Sequence, residues 1–373
     1  MYFIHTFSLR KNIANKDMEV LKRQYDNNSL KWISEEKKYM INKYVDNGIR
    51  FSFAWRHEND LKRDKANPWK VEMIITPYKL LHKGKAMGMI QDEEEWKDCM
   101  NELIDILEDI EDQCGVNLKK RLKLMRIDIA IDIKTPNDEY SREIIKLAKL
   151  SDISRGYEFW EPSLWDVIKT GWKKEDSVMI YNHHKDLEGK IYNKAVDLKN
   201  RGNGEYLDND HGLLRLEVTL KKAFLKKNFY LLDECVSKAD LEEVLLSVQD
   251  DAEELVQKEF LDQMWKGHFF CKHILKTYIE IRERRNPAKR DKMIAYSGFV
   301  NERKPDDYGS KKKRKTVDGY FKYEKISPVT TNKDYPYIPS FKDMLKGSYD
   351  VRLLEYAKKH TSAPRIFWDG TES

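Results

Sequence analysis

Residues 126–133 read RIDIAIDI. The period of two is that of an extended strand, so Ile127, Ile129, Ile131 and Ile133 share one face while Asp128, Ala130 and Asp132 share the other. The design recurs along the chain. In LLRLEVTLK (213–221), Leu214, Leu216, Val218 and Leu220 oppose Arg215, Glu217 and Thr219. In GKIYNKA (189–195), Lys190, Tyr192 and Lys194 fall on one face, and in KVEMIITPYK (70–79) Glu72 lies opposite Val71 and Met73. One such strand would be an ordinary half-solvated sheet strand. Several strands stacking acids, bases and a tyrosine point to a site, because clustered carboxylates repel one another unless a cation or a proton intervenes. Oxygen ligands of that kind suit Mg²⁺ or Mn²⁺. Tyr192, flanked by Lys190 and Lys194, is a candidate nucleophile, since nearby positive charge lowers the cost of forming its phenolate.

Further strand-like segments lie near 2–9, 50–56, 70–76, 124–133, 177–182, 189–195 and 213–220. Residues 91–113 form a helix by their spacing, with Trp96, Cys99, Met100, Leu103, Leu107, Ile110 and then Cys114 at steps of three and four. A second helix follows around Glu139–Leu150. Strands interleaved with two packing helices predict an α+β fold, a central sheet with helices on one face. After Lys221 the character changes: 222–283 reads as almost entirely helical, 286–336 is rich in Gly, Pro, Lys and Tyr, and about 340–357 reads as one more helix. These features predict a sheet-based domain over 1–235 and a mostly helical, basic C-terminal region over 236–373.

The 373 residues, 40% hydrophobic and 12% aromatic, hold enough apolar material for a buried core, which excludes disorder throughout. Net charge is only +5, yet it is unevenly spread. Residues 91–113 carry eleven acidic side chains and one Lys, whereas 282–325 carry fifteen basic and seven acidic ones. The basic stretch holds RERRNPAKRDK and KKKRK among Tyr296, Phe299, Tyr308, Tyr320, Phe321 and Tyr323, a mixture suited to phosphate contact and base stacking. No apolar run approaches the ~18–20 residues that cross a bilayer, and the opening MYFIHTFSLRKN reads as a strand and not as a signal peptide. Cys99, Cys114, Cys235 and Cys271 show neither zinc-ribbon nor disulfide spacing, as expected of a reduced cytoplasmic protein.

In order and spacing, VEMIITPYKLL, RIDIAIDI, KIYNKAVDL and GLLRLEVTLKKAFLK resemble the rolling-circle replication initiators, specifically the filamentous-phage gene II replication endonucleases and the trans-acting Rep initiators of small Gram-positive plasmids. The resemblance covers roughly 70–225. It implies a mainly antiparallel, HUH-endonuclease-like palm, in which the tyrosine matching Tyr192 attacks a DNA phosphodiester and remains joined to the 5′ phosphate. Asp128 and Glu217 match the metal-holding carboxylates, Glu72 matches an acid often preceding the S/T-P-x-K turn, and Asp132 matches the plasmid branch only. The paired-histidine metal motif of the wider superfamily is missing here, as it is in both branches: His183 and His184 are adjacent and would point to opposite faces of a strand. Tyr181 is a second candidate nucleophile without flanking lysines, and His268, Cys271 and His273 sit at helical spacing in an apolar run that suits a core.

The resemblance implies metal-dependent nicking of one strand at a double-stranded origin, cleaved while single-stranded, followed by rejoining. Lys190, Lys194 and Arg215 would neutralise charge on the phosphorus. The freed 3′ hydroxyl would prime a host polymerase while a host helicase unwinds ahead, in the cytoplasm of a bacterial host, with no membrane partner and homodimerisation left open. Three rivals remain at this level: a conjugative relaxase with the same chemistry, a DNA-binding replication regulator without catalysis, and a nuclease that uses water as nucleophile.

Overall fold

The computed structural model describes residues 2–25, 30–34, 37–56, 64–83, 88, 90, 92–151, 153–160, 176–200, 212–229, 236–264 and 267–345. The fold is α+β, built on a large antiparallel sheet with helices. Ten strands are β1 (Phe3–Ile13), β2 (Leu30–Ile33), β3 (Lys38–Ile41), β4 (Ile49–Trp55), β5 (Trp69–Ile75), β6 (Lys123–Lys134), β7 (Tyr157–Trp160), β8 (Ser177–Asn182), β9 (Leu187–Asn193) and β10 (Leu213–Lys221). They are hydrogen-bonded in the order β2-β3-β4-β5-β1-β6-β10-β9-β8-β7. The seven segments expected as strands are strands. The short β2, β3 and β7 have too little alternating apolar pattern to read as strands in the sequence.

The chain divides into two compact units. One comprises 1–131, 184–188 and 217–254, the other 132–183, 189–216 and 255–373. In the first, register fixes the two faces of the sheet. Phe7, Leu9, Phe51, Phe53, Val71, Met73 and Ile127 are cross-strand neighbours and all fully buried. Thr6, Ser8, Arg10, Ser52, Glu72, Arg126 and Asp128 occupy the alternate positions. Helices α1 (Asn15–Gln24), α2 (Pro77–Leu81) and α3 (Glu93–Cys114) accompany the sheet. The α3 helix starts at Asp92, whose side chain accepts from the Glu95 N–H, and three acidic residues in its first turn favour the positive helix end. It ends at Gly115 in the left-handed region, φ 67°. Its apolar stripe, including the fully buried Trp96, Cys99 and Leu107, packs among α1, α2 and a later helix of the same unit.

The second unit holds β7, β8, most of β9, α4 (Asp138–Leu150) and α5 (Lys194–Asn200). Between residues 222 and 283 lie α6 (Lys222–Asn228), α7 (Lys238–Asp250), α8 (Ala252–Glu259) and α9 (Lys272–Arg282), interrupted by strand β11 (His268–Cys271). His268 and Cys271 are therefore on a strand and not at helical positions, and Phe269 and Phe270 between them are both fully buried. Then follow α10 (Pro287–Asn301), α11 (Lys311–Tyr323), β12 (Ile326–Thr331), β13 (Tyr337–Ile338) and α12 (Phe341–Leu345). The small sheet runs β12-β11-β13, with α10 and α11 packed on β12. The helix expected over 340–357 is described only as α12, and its remainder and Cys235 lie outside the described residues.

Candidate functional site: a buried carboxylate cluster and the tyrosine motif

In the first unit, β6 carries Asp128 opposite Thr6 of β1. Asp128 is 1% exposed, and its carboxylate accepts hydrogen bonds from Thr6 Oγ1 and from Thr219 Oγ1 at 2.7 Å. Arg126, two residues earlier on the same face, brings Nη2 to 2.9 Å from Oδ2. Burial first, and then the negative charge of Glu217, push the Asp128 carboxyl above the usual carboxylate range, against the pull of Arg126 and the two hydroxyls. Asp128 and Glu217 thus form one electrostatic cluster, and Glu217 is itself buried.

Glu72 stands apart from that cluster. It faces Arg10 across β1, whereas Asp128 faces Thr6, and β1 runs between their two strands. Two inter-strand spacings and four residues along a strand separate the two acids by roughly 16 Å, beyond the reach of a shared ion. Asp132 is engaged elsewhere: Arg215 binds it through Nε and Nη2, each at 2.6 Å, in a bidentate pair within the second unit. Among the described residues, no group of three His, Cys, Asp or Glu side chains is arranged to hold a metal. Two carboxylates are still a fitting donor set for Mg²⁺ or Mn²⁺, which is commonly held by one or two carboxylates together with substrate phosphates. The raised Asp128 pKa is the matching observation, because it marks a place short of positive charge.

In the second unit, Tyr192 lies near the end of β9 and is 5% exposed. The next residue, Asn193, turns the chain: its Oδ1 accepts from the Val196 N–H and caps α5, while its amide donates to Asp138 Oδ1 at 3.3 Å. Lys194 is accordingly the first residue of a helix and not a strand residue alternating with Tyr192. Its ammonium still lies 5.9 Å from the Tyr192 ring centroid, and it donates to Asp197 Oδ2 at 2.6 Å, both partners buried. Lys190 is half-buried on β9. Beside it Gly189 has a packing role: a Cβ there would come 2.1 Å from the ring of Phe260, so only glycine lets that ring lie on the strand. Tyr181 is half-buried on β8 and donates to Glu158 Oε2 at 2.9 Å, and that carboxylate raises its pKa, which disfavours the phenolate a nucleophile needs. His183 sits 3.3 Å from the same Glu158, and His268 is bonded to Tyr337, its pKa lowered by burial.

Of the groups that satisfy Asp128, Thr219 lies on the polar face read from LLRLEVTLK, whereas Thr6 and Arg126 are not apparent from the motifs alone. The alternation T-F-S-L-R over 6–10 and the Arg of RID are the sequence signals that find them.

Neither protein-family models nor curated proteins match the chain. Among solved structures it is similar to the di-domain ARO/CYC StfQ from the steffimycin biosynthetic pathway, at 9% identity and a TM-score of 0.18, over 68% of this chain and 97% of that one. A likeness at that level carries no argument about fold or function.

Proposed function

We propose that the protein is a rolling-circle replication initiator that nicks and rejoins one DNA strand through Tyr192, on an HUH-like palm. The observation that carries this reading is Asp128: a carboxylate 1% exposed, placed beside Glu217 and held at a cost to the fold. Folds rarely keep such a group for stability, and strongly perturbed acids mark functional sites. The YNK motif adds a tyrosine with a lysine ammonium over its ring.

In the nicking step the Tyr192 phenol oxygen bonds to phosphorus as the bond from phosphorus to the 3′ oxygen breaks. The phenolic proton is given up, and the departing 3′ oxygen takes one. The phosphotyrosine conserves the phosphoester, so the reverse attack by a 3′ hydroxyl rejoins the strand without ATP. Lys194 stabilises negative charge developing at the phenol oxygen, and Lys190 does the same at the phosphate. Arg215, fixed by Asp132, acts as a positioning residue. Thr6 and Thr219 orient the Asp128 carboxylate. Asp128 and Glu217 are the residues that would hold a Mg²⁺ or Mn²⁺ ion, whose chemistry is that of a Lewis acid. The basic, aromatic-rich α10 and α11 bind the duplex origin, and host polymerase and helicase act on the nicked product.

Incubation with labelled single-stranded origin DNA and Mn²⁺ tests this. A denaturation-resistant protein–DNA adduct, absent in Tyr192→Phe, is expected; free nicked product with no adduct would refute it. The burial of Tyr192 favours one other reading, a regulator that binds DNA without cutting it, which origin binding without any cleavage would establish.

A further inference from the structure

The polar face of β1 and β6 carries charge that the carboxylate cluster does not use. Ser8 is 1% exposed, and its Oγ meets no hydrogen-bond partner among the described residues. Directly opposite on β6 is Arg126, whose Nη2 binds Asp128 but whose buried Nε is also without a partner. Two residues along β1 from Ser8, on the same face, is Arg10, with its buried Nε likewise unpartnered. The register shifts between Ser8 and Leu9, and this bulge places Lys123 opposite Arg10 on the face that Arg126 also occupies. Two cations facing each other across a ladder repel. Glu72 is the acid on Arg10's other side, yet among the described residues neither Arg10 nor Lys123 makes an ion pair with it or with any other group. A folded protein seldom leaves three buried donors unmet and two like charges opposed without a partner that answers both.

We infer that Ser8, Arg10, Lys123 and Arg126 form a binding site for a backbone phosphate of single-stranded DNA. A phosphate presents several acceptor oxygens and negative charge, which is what the unmet N–H and O–H groups and the opposed cations require. Arg126 ties the site to Asp128, so a phosphate held there would lie along the strand leading to the carboxylate cluster. That the ligand is an oxyanion follows from the geometry; that it is DNA rests on the function proposed above.

The test is the salt dependence of affinity for a labelled single-stranded oligonucleotide, measured by fluorescence anisotropy without divalent metal. Each lost phosphate contact should reduce the slope of log K against log salt by about 0.7. Arg10→Gln and Lys123→Gln should each show that loss with affinity about tenfold weaker, whereas Lys16→Gln, on the exposed face of α1, should change neither. Unchanged slopes in both variants overturn the inference. A second arm follows thermal unfolding in inorganic phosphate against chloride at equal ionic strength. Stabilisation of the wild type by phosphate that Arg10→Gln abolishes, with DNA slopes unaltered, would mean a free-anion site and would overturn the assignment to the DNA backbone. Adduct formation separates this inference from the nicking reading: no Tyr192 adduct with the slope losses intact sinks the reading and leaves the site standing, while an adduct with unaltered slopes does the reverse.

Discussion

Replacing Asp128 with Asn should make the first unit more stable while abolishing cleavage. The two Thr hydroxyls lose little, because the Asn Oδ1 still accepts from Thr219, now 2.7 Å away, and the amide can donate to Thr6 once that hydroxyl rotates. The contact with Arg126 is lost, but that side chain is 37% exposed, and an ion pair reaching water contributes at most about 1 kcal/mol. Against this, a buried carboxylate beside a second acid no longer has to be ionised, and replacing buried ionic groups by neutral ones ranges from neutral to a gain of about 1–4 kcal/mol. The net expectation is a gain on the order of 1–2 kcal/mol near pH 7, or about 2–8 °C in Tm for a unit of this size. The sign with pH follows from linkage. Asp128 is an acid whose folded pKa is raised, so between its unfolded value, about 3.9, and its folded one the native state binds more protons and stability falls as pH rises. Below that window both states hold it protonated, and the difference between variant and wild type should vanish. Urea unfolding at pH 3, 6 and 8 measures this as a difference, which cancels the other carboxylates. Glu217→Gln in the same series should weaken the pH dependence, since it removes the second cause of the shift. An Asn variant less stable than wild type at every pH would show Asp128 to be an ordinary satisfied anchor, and the case for a site would fall with it.

Cutting the chain after residue 235 should leave no cooperatively folding fragment, because α7 belongs to the first unit: Leu241, Leu245 and Val248 are buried there and Trp96 Nε1 donates to Gln249 Oε1 at 3.0 Å. Three such side chains at about 1.5–3 kcal/mol each approach the whole stability of a domain, so a sharp thermal transition in that fragment would contradict the assignment. Asp132→Asn should lower Tm more than Arg215→Met, since it leaves the Arg215 guanidinium, 3% exposed, without its counter-charge, whereas the Asp132 side chain, 24% exposed, can be rehydrated once Arg215 is gone; equal losses in thermal melts would speak against Asp132 as the partner that fixes Arg215. Tyr181→Phe should leave adduct yield unchanged, because its phenol is bound to Glu158 and its pKa is raised; loss of the adduct would make Tyr181 the nucleophile.

The parts of the molecule that could be read from sequence are those governed by local period. RIDIAIDI and LLRLEVTLK alternate so strictly that a strand is the only element that separates their isoleucines and leucines from their acids, and the α3 stripe from Trp96 to Ile110 admits only a helix. Period, however, tells which face a residue takes and nothing about its neighbour on the next strand. Glu72 and Asp128 have the same alternation and the same chemistry, yet the strand order puts β1 between them and the register offsets them by four residues, so one belongs to the cluster and the other does not. Lys194 fails for a different reason: Asn193 caps a helix, and period two stops at the cap. The same limit hid the helpers of Asp128. Thr6 lies 122 residues away in sequence and Thr219 lies 91 away, and only pairing brings their hydroxyls onto one carboxylate. That dependence gives the site its physical logic. An acid this deeply buried cannot be held by its own strand alone, because a strand offers one side chain per 6.8 Å or so on each face and β6 supplies only Arg126. Three strands are needed to surround it. The sheet therefore both creates the cost of burying Asp128 and supplies the hydroxyls that reduce it.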